Sequence, residues 1–287
     1  MKIKYWYVFL ALIPFLLTGS LSFAADCAAI KKAIPAEKNL KKRRTLVADA
    51  VIQCPEDPLL NYKYGLSLER FRKYDKALSY YQKASLYDPK MGKAYAGMGD
   101  IYVYKGQLDK AIDVYQKAVQ LMPGDSRAEN RLARLETKKK ALQGKVLTVG
   151  EVLTVMDTRG KIPTNMPLLL TGPALQYQIA FVEDTNELLP TGIRQIAGIG
   201  QAMQNEALQH IRFEISTHME SMVSSRAALE NSKIRAQMIV DQLVTNFQID
   251  PKRLDVVWHG DTLPLESNGL AGGASLNERV EFKRIIE

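Results

Sequence analysis

The chain has 287 residues, more than one ordinary domain holds, and an apolar share of 46% that allows real cores. Its formal charge of +8 is uneven: from Ala29 to Leu46 seven Lys/Arg stand against one acid, Glu37. No aromatic residue interleaves that run, so it lacks stacking platforms for nucleic acid and reads as an anionic-polymer or headgroup site, or as a solvated helix face.

Lys2 and Lys4 precede the apolar run Tyr5 to Leu17, followed by small residues at Ser22 and Ala24. This is the layout of a secretory signal peptide over 1–24, cut after Ala24. Thirteen helical residues span about 20 Å, short of the roughly 30 Å a bilayer core needs, and no later run is longer. The mature chain is therefore expected to be exported, with no transmembrane helix. A lipid anchor on Cys27 is disfavoured by Ala24 and Asp26, where acylation needs a bulky aliphatic and a small residue. The other cysteine is Cys54, and an oxidising compartment makes a Cys27–Cys54 disulfide the expectation.

The chain repeats itself at a period of 34: Gly65, Ala77, Tyr81, Ala84 and Pro89 recur as Gly99, Ala111, Tyr115, Ala118 and Pro123. Small residues let two antiparallel helices approach, a tyrosine fills the groove between them, and proline ends the second helix. The pattern resembles the tetratricopeptide (TPR) repeat, over about 58–136. Residues 25–57 are expected to form an N-terminal extension and a degenerate repeat helix; residues 58–143 hold the repeats and a polar capping helix, "SRAENRLARLETKKK". Such arrays take an extended peptide or a partner protein in a concave groove, or act as spacers. Residues 144–176 mix short apolar runs with Gly and Pro and are expected to be an irregular linker or a short strand, not a helix.

Beyond it the pattern becomes strand, helix, strand, helix, strand, strand. "YQIAFVED", "HIRFEIST", "RLDVVWHG" and "ERVEFKRI" read as strands. One helix places Ile193, Ile196, Ile199 and Met203 on one face, and a long one starts at Ser224 or Ser225 with Leu229, Ile234, Met238 and Leu243 inward. The order indicates an α+β sandwich, with helices on one face of a mixed sheet, after an all-α N-terminal solenoid. His210, His218 and His259 lack metal-ligand spacing and are expected to be satisfied strand-end or surface residues. No nucleophile elbow or phosphate loop is present, so an enzyme, a cofactor and a bound metal are not expected.

"FVEDTNELLP", "NSKIRAQMIVDQL", "VVWHGDTLP" and "NERVEF" resemble, in order and spacing, the motifs of the OmpA C-terminal-like (OmpA/MotB, peptidoglycan-associating) domain, over 177–287. The resemblance implies docking on peptidoglycan through the diaminopimelate of its peptide stem. Arg235 matches the family's arginine, which takes a carboxylate as a two-bond fork. Fifteen residues earlier Glu220 stands where an aspartate takes the ammonium, and Asp184 helps line the pocket. Thr217 and Met219 replace the family's Gly and Thr, Glu220 is one methylene longer, and Ala228 replaces a helix-starting Asn. These departures keep a second reading open, a protein-interaction scaffold whose OmpA-like fold has lost or changed its ligand. The location implied is the periplasm, or the outer membrane of a diderm bacterium.

Overall fold

The computed structural model describes residues 26–158, 169–182, 185–219, 224–265 and 277–286. The expected signal peptide lies outside them. Helices come first: α1 (Cys27–Ala36), α2 (Leu40–Gln53), α3 (Pro58–Arg70), α4 (Tyr74–Tyr87), α5 (Gly92–Tyr104), α6 (Leu108–Leu121) and α7 (Ser126–Leu142). They pack as successive antiparallel neighbours, and the repeat positions show why. A Cβ on Gly65 would lie 2.8 Å from the Tyr81 ring, and one on Gly99 would lie 2.5 Å from the Tyr115 ring. Both tyrosines are buried, and their hydroxyls donate to Glu69 and Asp100, each at 2.6 Å. Cys27 and Cys54 form a disulfide with 6.0 Å between Cα atoms, which ties α1 to the end of α2.

The expected linker contains a helix, α8 (Val149–Met156). Thr148 and Glu151 close a capping box at its start, and Val152, Val155 and Met156 are buried. Alternation of short apolar runs pointed to a strand, yet the cap and the core contacts outweigh the weak helix propensity of valine. The first strand is likewise displaced: β1 is Ala174–Tyr177, and of the described residues of "YQIAFVED" beyond it only Phe181 pairs, in a bridge to Leu188.

After β1 follow α9 (Pro190–Gln204), β2 (Phe213–His218), α10 (Ser225–Phe247), a 3-10 turn (Pro251–Arg253), β3 (Leu254–Gly260) and β4 (Arg279–Arg284). The sheet order is β1-β4-β2-β3, with β2 and β3 parallel and the other pairs antiparallel. Alternation gives it two unlike faces. Leu175, Tyr177, Phe213, Ile215, Val280 and Phe282 share one core with buried residues of α8, α9 and α10. Ile193 is exposed, although expected on one face with the buried Ile196, Ile199 and Met203. Leu229 and Ile234, expected inward, are exposed, and Met238 is half-buried. Small residues, Ala228, Ser232 and Ala236, face the sheet in their place, which lets α10 lie close to it.

The polar helix expected to cap the repeats does more than shield an open end. Ala141 of α7 belongs to the sheet-domain core, and Leu135 and Leu142 share a second cluster with Leu170 and Leu265. Lys138 is buried between the halves and donates to the carbonyls of Leu169 and Gly172, at 2.5 and 3.1 Å.

Candidate functional site

Ser232 fixes the frame of the site. It is fully buried, its Oγ accepts from Gly260 N at 3.1 Å, and its carbonyl accepts from Thr217 Oγ1 at 2.7 Å. Gly260, at φ +54°, lets β3 approach so closely that a Cβ would stand 2.8 Å from Leu229 N. Three residues beyond Ser232, Arg235 emerges where β2 ends and β4 begins. Its Nε donates to Asn186 Oδ1 at 3.3 Å, Nη2 to Thr185 O at 3.1 Å and Nη1 to Glu278 Oε2 at 3.1 Å. The guanidinium also lies 4.4 Å from the Phe181 ring centroid, and the side chain is only 12% exposed. Arg235 thus already grips a carboxylate. Lined by Phe181, Thr217, His218, Arg235, Glu278 and Arg279 among others, the cavity measures about 10 Å³, room for about one water.

Of the other expected clamp residues, Asp184 and Glu220 lie outside the described residues. The nearest described neighbour of Glu220, Met219, just past the end of β2, donates its N–H to Gly260 O at 2.9 Å. Glu278 was not among the expected site residues, although "NERVEF" carries an acid where the family pattern has its first arginine.

The second sheet face holds a buried polar layer that the reading of single histidines missed. Glu281 accepts from Gln176 Nε2 and from Arg279 Nε, both at 2.9 Å, and pairs with Lys283 at 2.8 Å. Burial raises the Glu281 pKa, but the Arg279 and Lys283 charges outweigh it and hold the carboxyl well below the usual range. His218 is buried and stacks on His259 with centroids 4.7 Å apart. At 3.6 Å its Nε2 is too far from Glu281 for a hydrogen bond, and neither ring nitrogen has a partner among the described residues. It stands at the end of β2, as expected, but among the described residues its nitrogens are not satisfied. Burial pushes its pKa down, which keeps the imidazole neutral at pH 7. The signal was present in sequence: Glu214, Ser216 and His218 alternate along β2, as Arg279, Glu281 and Lys283 do along β4. Among the described residues, no group of three or more His, Cys, Asp or Glu could hold a metal, and no helix is long and apolar enough to cross a membrane.

On the helical half a concave groove of about 300 Å³ runs past Tyr62, Glu69, Lys93, Asp100, Arg127 and Arg131. Residues 180–278 match the OmpA family and residues 70–135 match the tetratricopeptide repeat. This chain carries an OmpA-family domain behind TPR repeats. Similar solved structures include the periplasmic domain of Helicobacter pylori MotB, 16% identical, covering 39% of this chain and 76% of that one, with a TM-score of 0.33. Another is the first TPR of Spaghetti (RPAP3) bound to an HSP90 peptide, 19% identical, covering 38% of this chain and 90% of that one, with a TM-score of 0.35. A small glutamine-rich TPR-containing protein of Mycosarcoma maydis is 29% identical over 79 residues, 28% of this chain and 22% of that protein. This chain therefore spans under a quarter of that curated relative's length.

Proposed function

We propose that the chain is a non-enzymatic cell-envelope protein whose OmpA domain associates with peptidoglycan and whose TPR repeats hold a protein partner. The observation that carries the reading is Arg235: within the OmpA-family segment, its guanidinium faces a pocket and holds a carboxylate there. Diaminopimelate ends in a zwitterion, so its carboxylate takes the place of Glu278 on Arg235, and Glu220 receives the ammonium in a pocket that Asp184 helps line. Export by the signal peptide and residence in the periplasm, or at the outer membrane, follow from the same reading.

One observation favours the scaffold alternative. A cavity of about 10 Å³ admits no zwitterion until Glu278 moves aside. Co-sedimentation of the mature chain with isolated sacculi at fixed salt decides between them. Leaving a ligand carboxylate unpaired costs about 2–5 kcal/mol, and competition from Glu278 puts the expected loss at the lower end, so Arg235→Ala should bind at least about tenfold more weakly. Circular dichroism should show an unchanged fold. Equal binding by native and variant protein rejects the clamp, and no binding by either favours the scaffold.

A further inference from the structure

The basic run at Ala29–Leu46 is not a plain solvated face. It folds around a hollow of about 660 Å³ between α1, α2 and α3, within the range of ligand sites. Ile34 and Val47 form a buried apolar floor, Leu66 a half-buried wall, and Leu40 and Phe71 an exposed rim, 70% and 54% accessible. Around it stand Lys41, Arg43, Arg44, Lys63 and Arg70, and no carboxylate lines the hollow. Among the described residues none of these five makes an ion pair, although elsewhere on the repeats Lys105 pairs with Asp75 and Lys139 with Asp109. Arg44 lies over the Phe71 ring at 4.3 Å and holds it as a wall.

We infer that this hollow is a docking site for an acidic peptide segment bearing a single large apolar anchor. The anchor packs between Leu40 and Phe71 above the apolar floor, since exposed apolar surface in a cleft marks a binding site. Five uncompensated cations repel one another when the hollow is empty, and an anionic occupant relieves that repulsion. Concavity argues against a lipid surface, because a bilayer cannot fill a hollow. The site is also built to keep its shape: the Cys27–Cys54 disulfide and the Lys31–Asp57 pair, at 2.6 Å, fix α1 as one wall. The inference deepens the TPR reading by placing the partner at the N-terminal end of the solenoid. Leu66 lines both this hollow and the concave groove.

The probe is a fluorescein-labelled twelve-residue peptide of Asp and Glu with one central Phe, titrated by anisotropy into the full mature chain. Arg43→Glu/Arg70→Glu should weaken binding at least about tenfold, with circular dichroism and sacculus sedimentation unchanged. Replacing the central Phe by Ser should cost about tenfold or more, the worth of a buried aromatic side chain. Arg127→Glu, in the concave groove, should change affinity less than about twofold, as surface changes away from a contact do. The proposal fails if the charge-reversed double variant binds as tightly as native protein, or if the peptides with and without Phe bind alike. It also fails if Arg127→Glu alone abolishes binding, or if phosphatidylglycerol vesicles bind the chain while the peptide does not.

Discussion

A guanidinium has five N–H donors, and three of those on Arg235 are engaged by Asn186, Thr185 and Glu278. The neutral carbonyls orient the side chain, whereas Glu278 competes with any carboxylate that arrives. Because Glu278 is 41% exposed, its ion pair is screened and weak enough to exchange. Glu278→Gln removes the competing charge and keeps an amide that can still orient Arg235. Sacculus binding should rise by about two- to fivefold, the range of an exposed ion pair. A fall in the bound fraction would mean that Glu278 positions Arg235 instead of blocking it. Arg235 itself was legible in sequence from its motif. Its partners were not, because Asn186 and Glu278 are 49 and 43 residues away and meet it only through the strand order.

Lys138 is a second residue whose role appears only in the fold. Burial pushes its ammonium down to about 7, from an ordinary value near 10.5. Between these values the unfolded chain binds a proton that the folded chain has lost, so stability rises with pH, by up to about 1.4 kcal/mol per unit. The window from pH 7 to 9.5 avoids His218, which acts below its ordinary 6.5, and the tyrosines, which act near 10. Urea midpoints should climb across that window in the native protein and stay flat, or nearly so, in Lys138→Met. Parallel pH profiles for the two proteins would show that Lys138 stays charged between its carbonyls.

At the scale of elements, helical glycine has two opposite meanings here. Gly→Ala inside a helix gains up to about 1 kcal/mol in propensity. At Gly99 the added Cβ would lie 2.5 Å from the Tyr115 ring, and that ring cannot retreat because its hydroxyl is bound by Asp100 and Arg131. Overpacking costs about 1–3 kcal/mol and wins. At Gly150 in α8 a Cβ would meet nothing within 4 Å. Thermal melts should therefore show Gly99→Ala unfolding several degrees lower and Gly150→Ala slightly higher. The same sign for both would undo this account of the 34-residue period. The period was plain in the sequence because a repeat states each contact twice. Helix α8 was not, since its apolar valines suit a strand equally well and only the Thr148–Glu151 spacing marked its start.

At the scale of the molecule, the boundary expected at residue 144 cuts through shared structure. Ala141, Leu147 and α8 lie in one core with β1, β2, β4, α9 and α10. Tyr177 donates to Lys145 O at 2.6 Å and accepts from Leu147 N at 3.1 Å, and burial raises its pKa to about 12. Leu170 and Leu265, from the sheet half, pack with Leu108 and Tyr115 of the repeats. A flexible linker would let the two halves melt separately, whereas packed cores of this kind couple them. Calorimetry of the mature chain should show a single transition, with calorimetric and van't Hoff enthalpies in agreement. A fragment of 177–287, which lacks α8 and three residues of β1, should be markedly less stable than one of 126–287, by several kcal/mol for the core side chains removed. Two separated transitions in the full chain, together with equal midpoints for the two fragments, would show that the repeats and the OmpA domain are energetically independent.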